Sequence, residues 1–169
     1  SAAGSPVEPP SSRPWFVGAA VRPVVCLHGC PEYAVAAGLE GGRMPLALGL
    51  RAGRDPSSGI VLLLPELRAF WDFPLSSAWT IAPAVEFATP VLFDHGATRL
   101  EVAFRAACRL SWRFAGPWVV FVEPLVLDVG VWQQGWYGGR TFGSGAPVVR
   151  LGMSTGLQFL FPGGIRSGR

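Results

Sequence analysis

The sequence LEVAFRAACRLSWRF, residues 100–114, alternates between two kinds of side chain along its whole length. The even positions are apolar: Leu100, Val102, Phe104, Ala106, Cys108, Leu110, Trp112 and Phe114. The odd positions are small or charged: Glu101, Ala103, Arg105, Ala107, Arg109, Ser111 and Arg113. A period of two places the two sets on opposite faces of a β-strand, whereas a helix would mix them. These residues therefore predict a strand with one apolar face and one small or charged face.

The same alternation occurs in two more segments, residues 79–93 and 149–161. One face of these segments is apolar: Trp79, Ile81, Val85, Phe87, Val91 and Phe93, then Val149, Leu151, Met153, Leu157, Phe159 and Phe161. Segment 117–132 alternates less cleanly, because Glu123 and Asp128 have opposite parity. An extra residue in the strand would explain this, so we expect a β-bulge near Pro124.

Eight apolar segments follow one another from Trp15 onward, separated by stretches rich in the turn formers Gly, Pro, Asp and Ser. They cover residues 15–25, 33–41, 44–54, 59–73, 78–93, 99–114, 117–132 and 147–161. Strands would then make up about two-thirds of the chain, far above the roughly one quarter of ordinary proteins. This predicts an all-β fold, an eight-stranded antiparallel up-and-down barrel that closes on itself.

Composition limits the alternatives. The chain has 169 residues, of which 50% are hydrophobic and 15% charged, which excludes a disordered chain. No apolar run approaches the ~18 residues of a membrane-spanning helix. The net charge is +3 without a basic cluster, so we expect no nucleic-acid partner. We divide the chain into a flexible Pro/Ser-rich tail (1–14), the barrel (15–161) and a short tail (162–169).

Side-chain size indicates which face of the barrel is outside. Eight strands enclose a narrow interior, which Gly, Ala, Ser and a few charged side chains can fill. The Trp, Phe, Leu, Ile and Val face would then lie outside, which is stable only against lipid. The long segments also exceed the ~9–11 residues that a tilted strand needs to cross the hydrocarbon. We therefore expect a transmembrane barrel.

Aromatic residues are predicted to form a belt at the end of the barrel that carries residues 15 and 161. That end collects Trp15, Trp71, Phe73, Trp79, Trp112, Phe114, Trp118, Phe159 and Phe161, and the other end Tyr33, Phe93 and Trp132. Such belts are typical of outer-membrane barrels. A soluble β-barrel or sandwich would not predict this segregation.

The last segment contains a polar residue, Gly, and two bulky apolar residues at set spacings: Ser154, Gly156, Phe159 and Phe161. With this pattern, residues 15–161 resemble the small eight-stranded outer-membrane β-barrels, the OmpA/OmpX-like group. The resemblance implies a bacterial outer-membrane location among lipid and lipopolysaccharide, with both termini periplasmic. It also implies that the barrel-insertion machinery reads these four residues. The chain departs from the pattern because residues 162–169 follow Phe161.

The predicted interior collects seven arginines and six acids. They are Arg22, Glu40, Arg51, Glu66, Arg68, Asp72, Glu86, Glu101, Arg105, Arg109, Arg113, Glu123 and Arg150. Unpaired charge would be very costly there, so near-neutrality indicates a packed plug of ion pairs. We expect Glu66, Arg68, Glu86, Glu101, Arg105, Arg109, Glu123 and Arg150 to form it. The alternative is a thin path for water or protons.

Cys26 and Cys30 flank His28 in the first loop. In an exported protein a small-loop disulfide between the two cysteines is expected. A Cys-x-His-x-Cys metal site and two free thiols are the alternatives, the metal site having only three local ligands. We expect no metal and no cofactor.

Catalysis finds little support in the sequence. His28 and His95 are the only histidines, and both are predicted in loops. An outer-membrane enzyme acting on lipid A would need a Ser–His pair assembled between loops, for instance His95 with Ser57 or Ser58. We assign no catalytic residue and keep this enzyme as an alternative.

The last predicted loop, Gln133–Ala146, is rich in glycine and carries Trp136, Tyr137, Arg140 and Phe142. Aromatic residues with arginine are typical of partner and ligand contacts, although these could also pack on one another or rest at the membrane interface. We expect a structural or interaction role, as an anchor, an adhesin or an accessory subunit. A protein partner would bind through this loop or the N-terminal tail. A small-solute channel is a further alternative.

Overall fold

The computed structural model describes residues 15–26, 34–43, 45–55, 58–144 and 147–161. These residues form eleven β-strands. The strands are β1 (Trp15–Cys26), β2 (Ala34–Arg43), β3 (Leu46–Arg54), β4 (Val61–Phe70), β5 (Phe73–Pro74), β6 (Trp79–Ala88), β7 (Val91–Asp94), β8 (Ala97–Ala115), β9 (Trp118–Tyr137), β10 (Arg140–Ser144) and β11 (Val148–Phe161). Among the described residues, no helix is long and apolar enough to span a bilayer.

The strands join into one antiparallel sheet that closes, because β1 pairs with both β2 and β11. Three short strands lengthen longer ones. β5 continues β4 along β6, β7 continues β6 along β8, and β10 continues β11 along β9. Pro90 separates β6 from β7, since proline has no N–H to donate to the ladder. The barrel therefore has eight strand positions, which confirms the predicted all-β, eight-stranded closed barrel.

The last two of the eight strand positions, formed by β9 and by β10 with β11, are longer than the sequence predicted. β9 runs to Tyr137 and pairs with β10 across a two-residue turn, Gly138-Gly139, in which both φ angles are positive (55° and 77°). Two positive φ angles suit the right-handed twist of a hairpin, and glycine adopts them without strain. The prediction of a loop over Gln133–Ala146 was therefore wrong for most of its length. The sequence feature that indicates the hairpin is the Gly-Gly pair, which lies between aromatic residues that favour strands.

Two bulges lie in β9. The pairing of β9 with β11 shifts by one residue between Glu123 and Val126, and its pairing with β8 shifts between Val122 and Val126, which confirms the bulge predicted near Pro124. A second shift, at Val131, separates the pair Val102–Trp132 from the pair Ala103–Gly130. Each bulge inserts an unpaired residue and so reverses the parity of the residues that follow.

The two faces of the wall differ as predicted. Large apolar side chains lie outside, where Leu48 is 68% exposed, Leu39 64% and Phe104 54%. Charged and small side chains lie inside, where Glu101 and Glu123 are fully buried. A soluble protein rarely exposes an apolar surface of this extent, so the exterior is matched to hydrocarbon.

Aromatic side chains cluster at the end of the barrel that carries Trp15 and Phe161, which we call the girdle end. Trp15 pairs with Phe161, the rings of Trp79 and Trp112 stack at 5.9 Å, and the rings of Trp118 and Phe159 meet edge to face at 4.9 Å. The register therefore brings the predicted belt together. At the opposite end, the far end, Phe93 and Trp132 are exposed, and Tyr33 is outside the described residues.

The girdle end of the interior is apolar. Phe16 and Phe70 meet edge to face at 6.1 Å, and Val119 and Leu160 belong to the same buried cluster. This apolar cluster (Phe16, Ala47, Phe70, Ala82, Ala84, Val119 and Leu160) lies in the interior between the charged groups and the girdle end.

The facing of the wall predicts the effect of a charge at Phe104, in the middle of β8. Phe104→Arg should lower the free energy of unfolding in lipid by ~2–4 kcal/mol, because an arginine there faces hydrocarbon. Phe104→Leu keeps the apolar contact and should lower it by less than ~1.5 kcal/mol. Urea titration of the barrel in lipid vesicles measures both. Equal stability of the arginine variant and the wild type would contradict the outward placement.

Candidate functional site

Twelve buried charged residues form one connected set inside the barrel, which we call the lumen network. Its cations are Arg22, Arg51, Arg68, Arg105, Arg109 and Arg150, and its anions Glu40, Glu66, Glu86, Glu101, Glu123 and Asp128. The residues come from β1, β2, β3, β4, β6, β8, β9 and β11. Each is at most 8% exposed. The charges are equal in number, six against six, so the network is neutral.

The middle of the network joins opposite walls. Arg68 on β4 contacts both Glu86 on β6 and Glu123 on β9. Arg22 on β1 reaches the same two carboxylates, at 3.3 Å and 3.5 Å from its Nη2. Arginine suits this position because its planar fork can donate to two carboxylates at once. The interior is therefore crossed, not merely lined, by ion pairs.

Toward the girdle end of the network, Arg109 joins two carboxylates. Its Nη1 donates to Oε1 of Glu40 at 2.9 Å and its Nε to Oε1 of Glu123 at 2.8 Å. The guanidinium also lies over the ring of Phe121, 3.7 Å from the ring centre, as in a cation–π contact. Gln158 completes the environment of Glu40 by donating to its Oε1 at 2.7 Å.

Toward the far end, the contacts run through Arg105 and Arg150. Arg105 reaches Oε2 of Glu66 at 3.2 Å and also binds Asp128. Arg150 donates to Oδ1 of Asp128 at 3.0 Å and binds Glu101. An unbroken series of contacts thus extends from Glu40 to Glu101, through most of the lumen.

The structure places the predicted ion-pair residues together. All eight, Glu66, Arg68, Glu86, Glu101, Arg105, Arg109, Glu123 and Arg150, belong to the network. Arg22, Glu40 and Arg51, also predicted to face inward, belong to it as well. Two predicted interior residues, Asp72 and Arg113, instead lie exposed at the girdle end, because the strands there have passed the closed part of the lumen.

Asp128 is the network residue that the sequence analysis missed. Simple alternation from Glu123 places it on the outer face. The bulge between Glu123 and Val126 reverses that parity and turns Asp128 inward, where it binds Arg105 and Arg150. If the alternation is shifted by one residue at the predicted bulge, Asp128 falls on the inner face. The predicted interior then has seven acids for its seven arginines.

Two glycines provide room for the network. Gly49 pairs with Glu66, and a Cβ at Gly49 would lie 2.6 Å from Oε1 of that carboxylate. A Cβ at Gly130 would overlap Oε1 of Glu101 in the same way. Real Cβ atoms do not approach so closely, so a side chain at either position would force the carboxylate to shift away from the place it occupies in the network.

The predicted partner residues at the far end do not form one patch. Trp136 is on the outer face of β9, Tyr137 and Arg140 flank the hairpin turn, and Phe142 lies over Gly135 at the mouth of the lumen. Tyr137 is the most exposed of the three aromatic residues, at 61%. The four residues therefore occupy three places: the outer face of the wall, the tip of the hairpin and the mouth of the lumen.

The predicted cysteine and metal sites fall outside the described residues, which lack His28 and Cys30 and give only the backbone of Cys26. The disulfide therefore stays a prediction. Cys108 is a free thiol, exposed on the outer face. The described residues hold no group of three or more His, Cys, Asp or Glu side chains placed to bind a metal.

Ser58 and His95 have separate partners. Nδ1 of His95 lies 2.6 Å from Oδ1 of Asp94, its sequence neighbour. Ser58 bonds to the Asp55 carboxylate through both its backbone N–H and its hydroxyl group. Ser57 is outside the described residues.

The four residues of the predicted insertion signal occupy two environments. Ser154 is buried in the lumen, and Gly156 lies against the carbonyl of Ala19 and the ring of Phe121. Phe159 and Phe161 join the girdle, their rings 5.0 Å apart.

Comparison with solved structures identifies the fold. Neisserial surface protein A is 12% identical, aligns over 87% of this chain and 97% of its own, and has a TM-score of 0.52. Outer membrane protein AlkL (12% identical, all of both chains, TM-score 0.49) and a de novo designed transmembrane barrel (14% identical, 89% and 98%, 0.49) are also similar. No protein-family model and no curated protein sequence matches. The fold is that of the small eight-stranded outer-membrane β-barrels, as the sequence resemblance implied.

The network predicts different effects for two arginines on the same strand. Arg109→Ala should lower the free energy of unfolding by ~3–5 kcal/mol, because it leaves Glu40 and Glu123 buried with fewer cations. Arg113→Ala, four residues along β8 and exposed, should change it by less than ~0.5 kcal/mol. Urea unfolding of both variants in the same lipid measures the difference. Equal losses would show that Arg109 is not part of a packed network.

Proposed function

We propose that this chain is an integral barrel of the bacterial outer membrane with a closed interior and a structural or interaction role. It would act at its surfaces, as an anchor, an adhesin or an accessory subunit of a membrane assembly. The observation that carries the proposal is the lumen network, whose ion pairs join opposite walls. Passage of a solute would require these buried pairs to separate, which is costly in a low-dielectric interior.

The apolar cluster supports the same conclusion. It lies between the network and the girdle end, and its members are at most 8% exposed. The interior is thus filled by two successive layers, one charged and one apolar. Such filling is expected of a barrel with eight strands, since wider barrels are needed for an open channel.

The hairpin of β9 and β10 is the proposed contact surface. β8 and β9 have 19 and 20 residues, whereas β3 has 9, so the wall of the barrel is much longer on one side than on the other. The longer wall carries Trp136, Tyr137 and Arg140 near its tip. Aromatic residues and arginine are enriched where proteins meet their partners.

Lipid and the insertion machinery are the other proposed partners. The apolar exterior would contact outer-membrane lipid and lipopolysaccharide, with the girdle at the periplasmic interface and the hairpin outside. Ser154, Gly156, Phe159 and Phe161 would be recognised during insertion. We propose no catalytic role for the chain.

Gentle extraction from native membranes, followed by native mass measurement, tests the interaction role. We expect the 18.0 kDa chain in an assembly of defined larger mass. The double variant Trp136→Ala/Tyr137→Ala should lose that assembly, because it removes the aromatic contacts of the hairpin. Phe93→Ala removes an exposed aromatic residue of the far end outside the hairpin and should retain it.

Two outcomes would contradict this role. A single chain with bound lipid alone, in the wild type as in the variant, would leave no partner in the membrane. Loss of the assembly in all variants alike would show that the hairpin is not the contact.

A closed interior also predicts electrical silence. The wild-type barrel in a planar bilayer should give no stable conductance, and neither should Arg109→Ala, because the apolar cluster remains below the vacated position. Arg113→Ala is the matched control at the girdle-end mouth. Conductance that rises in Arg109→Ala but not in Arg113→Ala would instead favour the small-solute channel.

A further inference from the structure

A recess of about 200 Å³ lies at the far-end mouth of the lumen. Its lining residues are Arg99, Gln133, Gly135, Phe142 and Gly143. Arg99 and Phe142 reach it from opposite sides, because both pair across β9 with Gly135. The lining contains no residue of the lumen network, and neither the structural nor the interaction role proposed above depends on the recess.

Arg99 brings an unneutralised cation to this recess. Among the described residues, no carboxylate lies within ion-pair distance of its guanidinium, whereas the network arginines each contact at least one. Glu101, two residues away on the same face of β8, is already bound by Arg150. Nε2 of Gln133 also donates to Oε2 of Glu101, at 3.4 Å. Glu101, the nearest acid on the strand, therefore already has partners in Arg150 and Gln133. The guanidinium of Arg99 keeps its hydrogen-bond donors available for a ligand.

Phe142 gives the recess an apolar wall. Its ring lies directly over Gly135, where a Cβ would overlap the ring atoms. Gly143, the next residue of β10, also lines the recess and has no side chain. The lining of the recess therefore combines a phenyl ring, two glycines without side chains and an arginine.

We propose that this recess binds a small organic monocarboxylate with a flat apolar body. The guanidinium of Arg99 would donate two parallel hydrogen bonds to the carboxylate, and Phe142 would stack on the body of the ligand. One free cation matches one negative charge. A phosphate dianion would bring surplus negative charge close to Glu101, so the carboxylate is the better match. The volume limits the ligand to about the size of a single aromatic ring with its acid group.

Titration with benzoate tests the assignment. The full chain, refolded into nanodiscs of zwitterionic lipid, is observed by NMR chemical shifts or by calorimetry. Benzoate should bind saturably. Benzamide, which has the same shape without the charge, should bind at least about tenfold more weakly, because it loses the charge-assisted bonds to Arg99.

Two variants separate the charge from the ring. Arg99→Gln should weaken benzoate binding by at least about tenfold. Arg54→Gln removes an exposed arginine at the far end of β3 that does not line the recess, and should change the affinity by less than about twofold. Phe142→Ala should weaken benzoate but leave acetate unchanged, since acetate has no ring to stack.

Equal binding of benzoate and benzamide to the wild type would overturn the proposal, and this comparison needs no variant to fold. Unchanged affinity in Arg99→Gln, or equal losses in Arg99→Gln and Arg54→Gln, would overturn it as well. Absence of any saturable benzoate binding would show that the recess is only the rim of a closed barrel. None of these results affects the native mass of the assembly, so the proposed interaction role is tested separately.

Discussion

The arginine–carboxylate pairing inside the barrel is the constraint on which the other features depend. A wall of eight strands exposes its outer face to hydrocarbon, so the charged groups of the membrane-spanning part must lie inside, where an unpaired charge is costly. Six arginines and six carboxylates satisfy this requirement by neutralising one another across the lumen. The glycines at the crossing points follow from it, since long side chains need space to pass a neighbouring strand.

The bulges of β9 also contribute to the pairing of charges inside the barrel. Without the one between Glu123 and Val126, Asp128 would face lipid, and Arg105 and Arg150 would each lose a carboxylate. The bulge accommodates Pro124, which cannot donate a hydrogen bond to a neighbouring strand. It also makes the numbers of buried cations and anions equal, because it turns Asp128 inward. The bulge at Val131 then returns Trp132 to the outer face and keeps Gln133 inside.

Much of this architecture could be predicted from alternation, because a period of two both defines a strand and assigns its faces. The eight strands, the inward glutamates and arginines, and the aromatic girdle all follow from it. Alternation is local, however. It could not pair Arg22 with Glu86, which lie on opposite walls, and it placed Arg113 and Asp72 inside because it does not show where the lumen opens. The sequence did not predict the hairpin after Gln133, because a high glycine content is typical of loops, although a Gly-Gly pair between strands is also a turn signal.

The unequal lengths of the two walls have a consequence for the surrounding bilayer. On β3 the outward apolar residues extend only from Leu46 to Ala52 before Arg54, whereas on β8 they extend from Leu100 to Phe114. A lipid bilayer of uniform thickness cannot match both. The barrel must tilt, or the annular lipids beside β2 and β3 must be compressed, at a cost of a fraction of a kcal/mol per ångström of mismatch. Where the bilayer thins beside the short wall, lipids with short acyl chains match the barrel best.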